Sequence, residues 1–341
     1  DESLTECLSE CGLHVDCVEA EQLDLCTEKY TYVILAAALE RQPSMAAGAA
    51  LLQRARALLE EEGSLFLAAD NRMAIRYFCG DQDPFTGRNF DGIENYKRVS
   101  VAGGNALEGR LYSKGEMEKL LEDAGFSYHR FYSVFPEIAC PQILFAEDYT
   151  PNEELGIRIF PQYHSPDTVF LEEENLYTSL IENGLFHRMA NGFVIECPLD
   201  GVFSEADQIT VSMDRGREHA LCTILTGKGM VIKKPLYAEG MEKLGRLEEN
   251  NRYLKRHGIH MIEGEVVDQT FQMPFVEGIP LVTYFRGLLT EDLEEFFRAF
   301  DKLWQLILHS SEQVAFGEVD WEHFNPWWDE EKDEYKIKKI D

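Results

Sequence analysis

The stretch from Tyr30 to Tyr96 constrains this chain most. It holds an apolar run (TYVILAAALE), an amphipathic helical segment, a second apolar run (SLFLAADNR) and a polar loop ending in FDGIENY. Strand, helix, strand and long loop in that order make half of a doubly wound α/β sheet, in which a ligand sits outside the carboxyl ends of the strands. Residues 35–40 and 69–72 are those ends, so the chemistry is expected there.

At 341 residues the chain has room for two domains, and its 45% hydrophobic content can fill a core in each. A net charge of −30 repels phosphate backbones and anionic lipid, so neither nucleic acid nor a membrane is an expected partner. The acids are spread through helical segments, the pattern of a solvated surface. Eight cysteines include no C-x-x-C pair and mostly sit in apolar settings such as IACPQIL and FVIECP. That usage fits reduced, buried thiols and a cytoplasmic location. With no apolar run of about 20 residues and no charged-then-apolar leader, neither a span nor a signal peptide is expected.

Residues 13–21 read as a short strand with an acidic tip, and 30–39 as a nearly apolar strand covered on both faces. Ser44 caps a helix in which Leu51, Leu52, Ala55, Leu58 and Leu59 keep helical spacing, and Gly63 stops it. Residues 64–69 form the next strand, and 79–110 a long loop of the kind that usually carries function. Ser113 and Glu116 form a capping box for KGEMEKLLEDAGF, with Gly125 as its stop. YHRFYSVF and QILFAEDY read as a hairpin that adds an antiparallel last strand, so the first domain is expected over 1–151. Residues 152–203 read as a connector with a helix at 169–186 and a strand, GFVIEC. From 204 to 341 the pattern changes to short strands (ITVSM, ALCTIL, GMVIKK), a charged helix over 237–257 and two strands at 259–263 and 265–277. A strongly amphipathic helix capped by Thr290 follows.

The block from Leu13 to Pro151 resembles class I S-adenosylmethionine-dependent methyltransferases, in particular bacterial ones with a loop like NR…YF-G…G-x-x-FDGIE-x-Y. Here that loop is Asn71, Arg72, Tyr77, Phe78, Gly80, Gly87, Phe90, Asp91, Gly92, Ile93, Glu94 and Tyr96. The resemblance implies a Rossmann-like sheet with an antiparallel last strand, and S-adenosylmethionine as cofactor. It places Glu21, with Asp24 as the alternative, at the adenine amino group, Ala36 and Ala37 close to the donor, and Glu40 as a loop acid there. Asp91, Glu94, Tyr96 and Arg98 become candidates to hold the acceptor; the alternative is that Asp91 and Glu94 only order the loop. Two departures stand out: Thr31 replaces a frequent Asp, and no glycine-rich turn precedes Leu13. The first strands of that fold are therefore expected to be missing, and donor binding to be weak.

The region 204–341 resembles the small lobe and first part of the large lobe of kinase-like phosphotransferases. Asp320 precedes Asn325 by five residues and Asp341 lies sixteen further on, the order of a catalytic acid and two metal ligands. The resemblance implies Lys233 (or Lys234) on the nucleotide phosphates, Glu249 as its helix partner, the Glu277 backbone at adenine, and Mg-ATP as cofactor. DRGREHALCT replaces the usual glycine-rich loop, and Glu318-Val319 stands where an arginine is common. The α+β lobe is expected to be incomplete. Together these readings make a methyltransferase acting on a small molecule, such as a sugar or polysaccharide precursor, the leading expectation. A Mg-ATP phosphotransferase and a non-catalytic interaction module are the alternatives.

Overall fold

The computed structural model describes residues 14–42, 44–101, 107–152, 154–212, 216–259, 262–276, 278–313, 324–329 and 334–339. The described strands are β1 (Tyr30–Ala36), β2 (Leu59–Asp70), β3 (Arg130–Phe135), β4 (Ile143–Ala146), β5 (Gly192–Pro198), β6 (Ala206–Ser212), β7 (Leu221–Thr226), β8 (Met230–Pro235), β9 (Glu265–Val267), β10 (Thr270–Pro274), β11 (Phe324–Asp329) and β12 (Glu334–Lys339). The helices are α1 (Met45–Ala57), α2 (Ile75–Phe78), α3 (Lys97–Val101), α4 (Lys114–Asp123), α5 (Tyr177–Glu182), α6 (Met241–Arg256), α7 (Leu281–Glu291) and α8 (Leu293–Gln313). Two compact units divide the chain: residues 1–140, 161–173 and 184–204 form the first, and 141–160, 174–183 and 205–341 the second.

In the first unit the strands run in the order β1, β2, β5, β3. β1 pairs parallel with β2, while β5 is antiparallel to both β2 and β3. So β1, β2 and β3 share one direction and the last strand runs against them. That strand is GFVIECP, from the stretch read as a connector; flanked on both sides, it is buried at almost every position. The interior is apolar from both directions: Leu65, Leu67, Phe131, Phe193 and Ile195 are fully buried.

Several local readings change. Residues 13–21 do not make a strand: 14–19 are irregular, and Ala20–Leu25 is a 3-10 helix closed by a Glu19–Gln22 capping box. α1 stops at Ala57, before Gly63, and β2 begins at once at Leu59, opposite Tyr30. The acids 60–62 are then an irregularity in that pairing rather than a last helical turn. Ser44 accepts from the Ala47 N–H as the cap, and the Ser113–Glu116 box closes α4 as its pattern requires. β1 is not covered on both faces. Val33 and Leu35 are buried, but Tyr32 and Ile34 are about 60% exposed (59% and 63%), and no described helix lies over them. The doubly wound expectation therefore fails here: α1 and α4 pack against each other, with Arg56 Nε donating to the Gly125 carbonyl at 3.2 Å.

The second unit is antiparallel. β4 pairs with β6, and β6, β7, β8, β10 and β9 follow in that order. The strand read at 265–277 is a hairpin of two, β9 and β10, turning at Asp268 and Gln269, both with positive φ (45° and 63°). Two such residues are what a two-residue type I′ hairpin loop needs. No strand is described at 259–263. The segment 169–186 holds only a single turn, Glu173–Asn175, and the short α5, instead of one long helix. α6 lays Leu244 and Leu247 onto Leu221, Phe271 and Met273. The final long helix, α8, is continuous as read, but begins at Leu293 after a separate helix, α7. Asp292, not Thr290, caps α8 by accepting from the Glu295 N–H at 2.9 Å, while Thr290 bonds back into α7.

Candidate functional site

The carboxyl ends of β1 and β2 converge in the first unit. Past Ala36 the chain turns at Ala37, whose φ of 49° is uncommon for a residue with a Cβ, and its N–H still bonds the Ala68 carbonyl of β2 at 3.0 Å. Ala36 and Ala37 are exposed, so the strand end presents only methyl groups and backbone. Three residues on, Glu40 turns inward. It is 4% exposed, a buried acid in the loop that follows β1. The Asp70 N–H, at the end of β2, donates to its Oε1 at 2.7 Å, and its Oε2 meets no donor among the described residues. Burial pushes the Glu40 carboxyl up to about 7, against the pull of N–H groups from Asp70 and its own backbone.

Asp70 itself is half-buried, with no hydrogen bond to its carboxylate among the described residues. Desolvation raises its pKa, while Arg76 and His164 oppose that and Glu137 adds to it. The sequence reading passed over Asp70; an acid closing an apolar strand at its carboxyl end was the available signal. Gly109 completes this floor. A Cβ there would stand 2.5 Å from the Glu40 carbonyl oxygen, and the next residue, Arg110, donates its N–H to that same oxygen at 2.7 Å.

The loop motif turns out to hold itself together. Asn71 is fully buried: its side-chain amide donates to the Arg188 and Ala190 carbonyls, and its Oδ1 accepts from the Met73 N–H. Arg72 reaches the Gly92 and Ile93 carbonyls and pairs with Glu116 at 2.7 Å. Tyr96 is buried, donating its hydroxyl to Asp83 at 2.9 Å and accepting from the Leu111 N–H at 2.8 Å. Asp91 is buried against Arg88 at 2.7 Å, whereas Glu94 and Arg98 form an exposed pair. Of the four acceptor candidates, Asp91 and Tyr96 thus face inward and order the loop, and Glu94 and Arg98 lie on the surface. Beneath the loop, Arg76 and Asp81 form a fully buried ion pair at 2.9 Å, and the Gln82, His164 and Ser165 N–H groups also donate to Asp81. Gly80 sits above it with φ of 112°, its backbone pressed on Thr168 and Phe170.

In the second unit Lys233 is half-buried on β8, opposite Thr223 and Phe271, while Lys234 is exposed. Glu249 lies on an exposed face of α6. Glu277, Asp320 and Asp341 lie outside the described residues. The side chains of Glu21, Asp24 and Asn325 do too, although their backbones belong to the 3-10 helix (Glu21 and Asp24) and to β11 (Asn325). Among the described residues, no helix is long and apolar enough to cross a membrane.

No family model matches this chain, and no curated protein does. Among solved structures, a "putative O-methyltransferase" from Nostoc punctiforme PCC 73102 aligns at 22% identity over 32% of this chain and 28% of its own, with a TM-score of 0.22. This chain thus spans less than a third of that protein's length, and a likeness of that extent carries no argument about fold or chemistry.

Proposed function

We propose that the first unit belongs to an S-adenosylmethionine-dependent methyltransferase, with the donor at the carboxyl ends of β1 and β2 and a small glycan precursor as acceptor. The observation that carries this reading is the topology. Two parallel strands end side by side at small residues and acids, and the last strand of the unit runs against its neighbours. The small side chains of Ala36 and Ala37 leave the backbone open to close approach by the donor. When bound, the donor supplies an electrophilic methyl group. The chain's part is to place the acceptor against that end of the sheet, and the self-bonded loop 79–96 forms a rigid wall for this.

The test is hydrogen exchange on the full chain at millimolar S-adenosylmethionine. Protection should rise at 36–42 and 70–73, and labelled methyl should pass to an acceptor. Unchanged exchange in both segments would refute the reading.

For the second unit we infer a kinase-like small lobe binding Mg-ATP. The favouring observation is that Lys233 sits on the third strand counted from β6 and a packed helix, α6, follows that strand directly. Replacing the lysine, Lys233→Met, should weaken Mg-ATP binding about tenfold in calorimetry, the loss of one charge-assisted contact. Equal affinity in the variant would remove Lys233 from any nucleotide site.

A further inference from the structure

We propose that Glu40 and Asp70 form a binding site for a primary ammonium group, so that the ligand held at this end of the sheet is an amine-bearing small molecule such as an amino sugar. This rests on the methyltransferase reading only for calling that ligand the acceptor.

The geometry is specific. Glu40 is buried, and the bond from the Asp70 N–H to its Oε1 fixes its carboxyl beside Asp70. Its Oε2 has no partner among the described residues, and no hydrogen bond to the Asp70 carboxylate occurs among them either. Buried acceptors left bare are costly, and native structures normally fill them with a donor. Glu40 Oε2 and the half-buried Asp70 carboxylate ask for N–H or O–H donors and, where both are ionised, for positive charge between them. The cations whose charge reaches this pair are placed elsewhere: Arg76 is held by Asp81 and lies 3.6 Å from Glu137, His164 lies 3.9 Å from Asp81, Arg41 is exposed, and Arg110 reaches Asn95 and Glu116. An ammonium offers three donors and one charge, which fits Glu40 Oε2 and the half-buried Asp70 together. A magnesium or calcium ion would want more oxygen ligands than two carboxylates, one of them already engaged by an N–H. The neighbouring Asn71 oxygen is taken by the Met73 N–H. Among the described residues the one grouping of three metal-capable side chains is His14, Asp16 and Glu28, all exposed and elsewhere.

The experiment compares matched pairs on the full chain: D-glucosamine against D-glucose, and ethanolamine against ethylene glycol, by calorimetry. Carbon-detected NMR of the Asp and Glu carboxyls in the unmodified protein serves as a second readout. The amine of each pair should bind at least about tenfold tighter than its hydroxyl counterpart and should shift the Asp70 and Glu40 carboxyl signals. Asp70→Asn and Glu40→Gln should each erase that preference. No preference for either amine at tens of millimolar, with both carboxyl signals unmoved, overturns the proposal. So does displacement of the amine by magnesium chloride alone at equal concentration. A preference that survives Asp70→Asn in a variant with the parent circular dichroism overturns it as well. Donor binding is read separately by the exchange experiment above: donor protection without amine preference removes this inference alone, and amine preference without donor protection removes the methyltransferase reading and leaves the ammonium site.

Discussion

Replacing Asp81 by Ala should be the most damaging single change in the first unit, costing about 3–5 kcal/mol of stability. It leaves the Arg76 guanidinium buried, with Glu137 at 3.6 Å as its remaining ion-pair partner among the described residues, and strips the acceptor from three backbone N–H groups. Arg76→Met should cost less, because Asp81 then keeps those N–H donors. The double variant should be less damaged than the two losses added together, since an ion pair removed whole leaves no orphaned charge. Hydrogen exchange of amides in β2, β5 and β3 is the right measurement, as two compact units make a single unfolding midpoint ambiguous. If the single and double variants lose equal stability, the buried pair is not what holds the loop.

The second large effect is a dependence on pH. Glu40 has its carboxyl raised from 4.5 to about 7, so between those values the folded chain binds more protons than the unfolded one. Its contribution is therefore fully present below about 4.5 and is lost as pH rises toward 7, a change of about 3 kcal/mol at 1.36 kcal/mol per pH unit. Asp70 and Asp83, also raised by burial, act in the same sense. Glu116 is lowered by Arg72 and the Ser113 groups against desolvation, so it favours the folded state above its unfolded pKa and loses that as pH falls through its folded one. The first unit should thus be more stable near pH 5 than near pH 8, and Glu40→Gln should flatten most of that slope. Hydrogen exchange of the β2, β5 and β3 amides in both proteins, corrected for the intrinsic rate at each of the two pH values, decides it; parallel slopes would show that Glu40 does not carry the effect.

Some of this was legible in the sequence because it is local. The Ser113–Glu116 box and the Ser44 cap need only a few consecutive residues, and the apolar runs at 30–36 and 64–69 announce strands wherever they pair. What could not be read was partnership across the chain. GFVIECP is recognisably a strand, but nothing within it says that it will enter between β2 and β3. The loop motif has its local partners close in sequence: Asp91 meets Arg88, and Tyr96 meets Asp83 and the Leu111 N–H, within the same loop and just after it. Glu40 reads as a loop acid after an apolar run; the N–H it accepts from belongs to Asp70, thirty residues away.

The late arrival of β5 in the chain sets a schedule for the protein's synthesis. β2 and β3 leave the ribosome first, and neither has its shared neighbour until Pro198 has emerged. At 5–20 residues per second, the gap from Phe135 to Pro198 keeps both ladder edges open for roughly 3–13 s. Through that interval the apolar strands around Leu65, Leu67 and Phe131 lack the neighbour between which they are buried in the folded unit. A ribosome pausing anywhere between residues 136 and 191 would extend that exposure, so codon choice in this window should influence the yield of folded protein more than the same change made after residue 204.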